Sequence, residues 1–210
     1  HVFGLYPKSQ LNIIDIPNVI LKKFGINKDE IYFANRMMLE TKHFIFARNF
    51  ETLIPGNRGH KKILDIGCGV GHLGFVFRDF LKYDYLGLDN SEWAIENSPY
   101  KNIINLRVGN ILTKYNEYDN KFFLVLCMDI LEHIDYKNID KALENIKDYG
   151  EYFIFSIPFK GDPNLELDPT HIIKEEKLWW INKLSKYFEV KTAPEGWIYS
   201  KQILIAHKKE

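Results

Sequence analysis

The stretch "KKILDIGCGVGHLG", Lys61 to Gly74, decides the fold. An apolar run, Ile63-Leu64-Asp65-Ile66, leads into Gly67, Gly69, Gly71 and Gly74. Glycine loses more conformational freedom on folding than any other residue, so this density needs a reason. A short apolar run with a glycine-rich stop reads as a buried strand. "HLGFVFRDFL" after it reads as a helix. A glycine-rich turn between a strand and its helix is where backbone comes close to a nucleotide-type ligand. Gly67 suits the tight turn, and Gly69 and Gly71 suit close approach. The dehydrogenase fingerprint G-x-G-x-x-G would need glycine at position 72, where the chain has His72. Asp65, inside the strand, would repel a pyrophosphate. It suits a ligand with a cationic amino-acid head.

Outward from this turn, strand and helix patterns alternate. "YDYLGLD", "INLRVGN", "FFLVLCMD", "EYFIFSIP" and "FEVKTAP" read as strands two to six, and "WIYSKQILIAHK" as a seventh. "SEWAIENS", "NIDKALENIKDY" and "KEEKLWWINKLSKYF" read as the helices between them, with Ser91 a natural N-cap. This alternation predicts an α/β fold, a Rossmann-like seven-stranded sheet, mostly parallel, with helices on both faces. The last two strands have only "APEG" between them and should pair antiparallel, since a parallel crossover needs far more chain. Upstream, Asp29 to Leu53 reads as a long helix and Val19 to Phe24 as a shorter one. The expected organisation is an N-terminal helical cap over residues 1–58 and one domain over 59–210, with a lid insertion at about 158–177.

Composition narrows the partners. The 210 residues carry 28 basic and 28 acidic side chains, a formal net charge of zero. A phosphate-backbone binder usually shows a basic surplus, so nucleic acid is a disfavoured partner, although a local patch such as Lys22, Lys23, Arg36, Lys42 and Arg48 stays open. No apolar run approaches membrane-spanning length. Cys68 and Cys127 sit in apolar runs and do not form a disulfide framework, so a cytoplasmic setting is expected. The aromatic-rich N-terminal helices leave a homodimer surface open.

Asp89 ends the second strand, 18 residues after Gly71. A carboxylate there can accept both hydroxyls of a ribose. It could also cap the next helix, but Asn90 and Ser91 are available for that. Together, "ILDIGCGVGHLG", "YLGLDNS" and "CMDILEHI" resemble the successive cofactor motifs of class I S-adenosylmethionine-dependent methyltransferases. The likeness covers roughly Lys61 to Ile157. It implies that Gly67, Cys68, Gly69 and Gly71 pack on the cofactor and that Asp65 lies near its amino group. It implies that Asp89 holds the ribose, with Asn90, Ser91 and Trp93 towards the adenine. An Asp often follows the third strand in this family; Asn110 stands there instead, with Ile111 expected to cover the ring. Met128 and Asp129 would face the methyl group.

The resemblance implies methyl transfer to a small-molecule or sugar acceptor, and His-assisted O-methylation is the reading taken forward. His171, in "LDPTHI", is the favoured base, with Asp168 as its orienter and His133 as the alternative. Asp168-Pro169-Thr170 also reads as a helix start. Asp129, Glu132, His133 and His171 together would suit a divalent metal. They resemble the E-x-x-E-H layout of metal-dependent 2′-O-methyltransferases acting on small-RNA 3′ ends, but the first acid is Asp129 and the charge is neutral. An RNA methyltransferase is therefore the alternative, and no metal is assigned. A non-catalytic cofactor-binding subunit is the third reading. "DPTHI" with Trp179 and Trp180 also resembles sugar-linked methyltransferases, although a Trp pair on a helix is more often core.

Overall fold

The computed structural model describes residues 37, 39–53 and 61–209. Helix α1 (Thr41–Glu51) precedes strand β1 (Lys62–Ile66). Helix α2 (His72–Phe75) runs on as a π turn, Val76–Phe80, in which Leu81 N–H reaches Val76 O at 3.1 Å. Then come β2 (Asp84–Asp89), α3 (Glu92–Glu96), β3 (Asn105–Val108), β4 (Phe122–Met128), α4 (Ile139–Ile146) and β5 (Gly150–Ser156). The chain ends with α5 (Pro163–Leu167), α6 (Lys177–Leu184), β6 (Phe188–Thr192) and β7 (Ile203–Lys208).

The seven strands form one sheet in the order β3-β2-β1-β4-β5-β7-β6. Strands β3, β2, β1, β4 and β5 pair in parallel, and β7 is antiparallel to both β5 and β6. This is a Rossmann-like sheet with the antiparallel end that the sequence implied. The order reverses between β1 and β4, the topological switch point where open α/β sheets bind ligands beyond their strand ends. Gly67, Asp89 and Asp129 all follow or end strands at that edge.

Side chains alternate across the sheet with the two-residue strand period. Leu64, Ile66, Val125, Cys127, Phe153 and Phe155 face one core layer, with Ile139, Ala142, Leu143 and Ile146 of α4 and Trp180 of α6. Ile63, Leu124, Leu126 and Ile154 face the other, with Phe46, Ala47 and Phe50 of α1 and Leu73, Val76 and Phe77 of α2. The α4 set falls at i, i+3, i+4 and i+7, one stripe of a helix. Among the described residues no helix is long and apolar enough to cross a membrane.

Three expectations need correction. The predicted helix from Asp29 to Leu53 is not continuous: residues 37, 39 and 40 are not helical and α1 covers Thr41–Glu51, because Glu40 is extended and closes a capping box in which the His43 side chain stands where Glu usually does; Asp29 to Arg36, Met38, the Val19–Phe24 helix and residues 54–60 lie outside the described residues. Strand β7 begins at Ile203 and not at Trp197. Successive turn bonds, Trp197 N–H to Pro194 O and Ser200 N–H to Trp197 O, occupy the interval. Trp197 instead packs on Phe50 of α1, ring centres 5.7 Å apart. Asp168 starts no helix: the lid helix α5 begins earlier, with Asp162 as its cap and Pro163 next to it.

Gly74 shows why one of the four glycines is there. A Cβ on it would lie 2.2 Å from Cε1 of Tyr85, a ring buried between helix and sheet. Gly74→Ala should therefore cost about 1–3 kcal/mol through overpacking. Urea unfolding measures it; an unchanged midpoint would show that the ring moves aside freely.

Candidate functional site

The loop after β1 bends through left-handed backbone at Gly67 (φ 78°), Gly69 (φ 55°) and Gly71 (φ 88°). A side chain at Gly67 would collide with Ile130, which leans over it from the segment after β4. The loop is pinned by two N–H groups, Gly67 and Cys68, that both donate to Leu88 O of β2 at 2.7 and 3.0 Å. Cys68 is half-buried, and its sulfur lies where a Cβ on Gly87 would go.

Asp89 closes this frame. Its Oδ2 accepts the Gly69 N–H at 2.7 Å and its Oδ1 accepts the Ser91 N–H at 2.9 Å. Ser91 caps α3, its hydroxyl accepting from Ala94 N–H at 3.2 Å, while Asn90 is exposed beside it.

Asp65 is buried at 2% exposure. Its Oδ2 accepts the Tyr85 hydroxyl at 2.7 Å, whereas its Oδ1 has no hydrogen-bond partner. Burial pushes the carboxyl up to about 7, opposed by the Tyr85 bond and assisted by the Asp89 charge. Such an orphaned acceptor calls for a donor from a ligand. Tyr85 was not foreseen, yet a tyrosine inside an otherwise apolar buried strand signals that its hydroxyl has a partner.

Asn110 is exposed after β3, and its Oδ1 accepts the Leu112 N–H at 2.9 Å. A second lone pair remains for an amino donor. Ile111 is partly covered beside the core, and its carbonyl accepts the Asn145 amide at 3.0 Å.

Beyond β4, Met128 is partly buried and Asp129 turns into left-handed backbone (φ 55°). The Ser156 hydroxyl donates to Asp129 Oδ1 at 2.7 Å, and Asp129 N–H donates to Ser156 O at 2.9 Å. Glu132, His133 and, from the lid, His171 then converge. The rings of His133 and His171 lie 4.6 Å apart. Burial, with His171 next in effect, pulls His133 below the ordinary histidine range. Burial also raises Glu132 well above its usual value, and the Asp129 charge adds to this. Asp168 does not hydrogen-bond His171: its Oδ2 stands 3.9 Å from Nε2, and its Oδ1 takes the Thr170 N–H and hydroxyl. Burial pushes Asp168 up, but the Thr170 bonds outweigh it and hold the carboxyl low. Leu165 O orients the His171 ring instead, 3.1 Å from Nδ1.

A family profile described as "Methyltransferase domain" matches residues 37–188. The chain belongs to this methyltransferase-domain family. Solved structures with the same fold include a chain of the complex between the Haloferax volcanii Trm112 methyltransferase activator and the putative methyltransferase. That match has TM-score 0.65 and 13% identity, over 87% of this chain and 98% of that one. The N-terminal domain of EvdMO1 with SAH bound matches at TM-score 0.63 and 15% identity, over 81% and 83%. A TehB-like SAM-dependent methyltransferase from Corynebacterium glutamicum matches at TM-score 0.61 and 16% identity, over 92% and 100%. No curated protein matches the sequence.

S-adenosylmethionine is the family's cofactor, and the residues fit it: the buried Asp65 keeps one oxygen with no hydrogen-bond partner, suited to a cationic donor. The sign of the pH dependence follows. Without cofactor the raised Asp65 carboxyl is protonated below about 7. The cofactor's ammonium favours the carboxylate, so binding expels that proton. Affinity should fall about tenfold per pH unit as pH drops from about 7 towards 5.5, where the ammonium itself stays charged. Calorimetry of wild type and Asp65→Asn checks this; a flat profile in the wild type would remove Asp65 from the ammonium site.

Proposed function

We propose that this chain transfers the methyl group of S-adenosylmethionine to a hydroxyl of a small-molecule or sugar acceptor, with the His133–His171 pair assisting. The observation that carries the reading is the placement of the pair. It lies just past β4, next to the switch point of the sheet, with His171 reaching it from the segment after β5.

The cofactor supplies an electrophilic methyl carbon whose leaving group is a neutral thioether. The chain's own task is alignment and exclusion of water, which can supply roughly 7–11 kcal/mol in well-oriented systems. The acceptor oxygen forms the new bond to carbon, the carbon–sulfur bond breaks with its pair staying on sulfur, and the acceptor proton leaves on the imidazole side. Two segments wall that side. The lid is fixed at Glu132 O, which accepts the N–H groups of Ile172 and Ile173 at 2.8 and 2.9 Å. Helix α1 approaches from the other side, with the His43 ring 4.7 Å from that of His72 beside the glycine loop. Trp179 is partly exposed and meets Tyr136 edge-on at 6.0 Å, a surface suited to a sugar face; Trp180 is core.

Asp89→Ala should weaken S-adenosylmethionine binding about 10- to 100-fold, the worth of hydrogen bonds to a charged group. His133→Ala should leave that binding intact and slow release of S-adenosylhomocysteine with a hydroxyl acceptor about 10²–10⁴-fold. Titration calorimetry and a product assay over a panel of sugars and phenols test both. Absence of cofactor binding at about 1 mM, the upper end of ordinary substrate affinities, would sink the reading.

A further inference from the structure

On the central strand β1, the residues directly opposite Asp65 are Gly87 of β2 and Leu126 of β4. Neither carries a polar side chain. Position 87 has no room for one, since a Cβ there would lie 2.7 Å from both the Cys68 sulfur and a Leu106 methyl. The Asp65 carboxyl draws its partner from two residues away on the same face of the sheet, where the Tyr85 hydroxyl donates to Oδ2 at 2.7 Å. The Tyr85 ring is seated for this bond. It lies against Gly74 of α2, where a Cβ would come within 2.2, 2.4 and 2.8 Å of three ring carbons. A phenylalanine would fill the same space and need no partner. Burial holds the Tyr85 phenol well above its usual range, so it keeps its hydrogen and acts as a donor.

That bond decides what the other oxygen can do. Oδ1 is buried and has no partner. When the carboxyl is neutral, its proton sits on the oxygen to which no hydroxyl already donates, which is Oδ1. The same oxygen is the one left for a cation of the ligand. We propose that Tyr85 is a positioning residue for the cofactor's ammonium: by holding Oδ2 of Asp65 it reserves Oδ1 for the ligand, so that ammonium and proton compete for one oxygen. The proposal rests on S-adenosylmethionine as the cofactor. It also gives Gly74 a part in binding, as the floor on which the Tyr85 ring is placed. The other titratable groups that act on or feel Asp65 are Asp89 at the end of β2, Cys68 in the glycine loop and Cys127 of β4. Burial keeps both thiols neutral, and the Asp89 charge opposes a carboxylate at position 65. Among the described residues, the Tyr85 hydroxyl is thus the side chain that favours the charged form of Asp65.

The experiment is calorimetric titration of the full chain with S-adenosylmethionine from about pH 5.5 to about pH 8.5, wild type against Tyr85→Phe, with urea unfolding of the same samples. The ligand's own ammonium titrates alike in both arms, so the ratio of the two dissociation constants reports on the protein. Without the hydroxyl, Asp65 holds its proton more tightly. Tyr85→Phe should therefore bind about tenfold more weakly than wild type near pH 6 and approach it near pH 8.5, about the worth of one hydrogen bond to a charged group. Gly74→Ala displaces the ring and keeps the hydroxyl. It should move the ratio in the same direction, and it serves if Tyr85→Phe does not fold. A ratio near one at every pH overturns the proposal. A loss that is constant across the range, as general damage to the site would give, also overturns it. A folded wild-type chain that binds no S-adenosylmethionine at any pH removes the proposal together with the cofactor on which it rests.

Discussion

One carboxylate fixes where everything else in the site can be. Asp89 takes N–H groups from Gly69 and Ser91, and so joins the loop after β1 to the start of α3. The loop's left-handed glycines make this geometry possible, since side chains there would be strained and at Gly67 would strike Ile130. The frame is stiff before any ligand arrives. Preorganisation of this kind lowers the ordering cost of binding. Asp65 then differs from Asp89 in a useful way. One is satisfied by backbone; the other keeps an oxygen in reserve.

The core explains why the frame holds its place. Each sheet face is sealed by a separate apolar layer, so β1 and β4 are buried on both sides at the switch point. Helix α1 belongs to one of these layers through Phe46, Ala47 and Phe50. It is therefore more than a flap. Trp197 leaves the strand pattern to pack against it, which ties the start of the described chain to its last hairpin.

The sheet was legible because alternating strands and helices leave few arrangements, and the glycine run marked the first turn. The places of Asp65 inside β1 and of Asp89 at the end of β2 could be read for the same reason. What could not be read were contacts made across the sequence. Tyr85 meeting Asp65, Ile130 covering Gly67 and Leu165 O holding His171 depend on the fold, and no local pattern announces them. The error at Trp197 has a physical origin too. An apolar, β-prone run reads as strand from propensity, yet burial against α1 decided its conformation. Asp168 shows the same limit, since its partner proved to be Thr170, two residues on, and not His171.

Glu132 carries two roles on one residue. Its side chain points into the histidine cluster, while its main-chain carbonyl holds the lid through Ile172 and Ile173. The second role uses no side chain at all. Any residue able to adopt this backbone keeps the anchor. A change of side chain at position 132 that keeps this backbone therefore alters the histidine cluster while the loop covering it stays anchored.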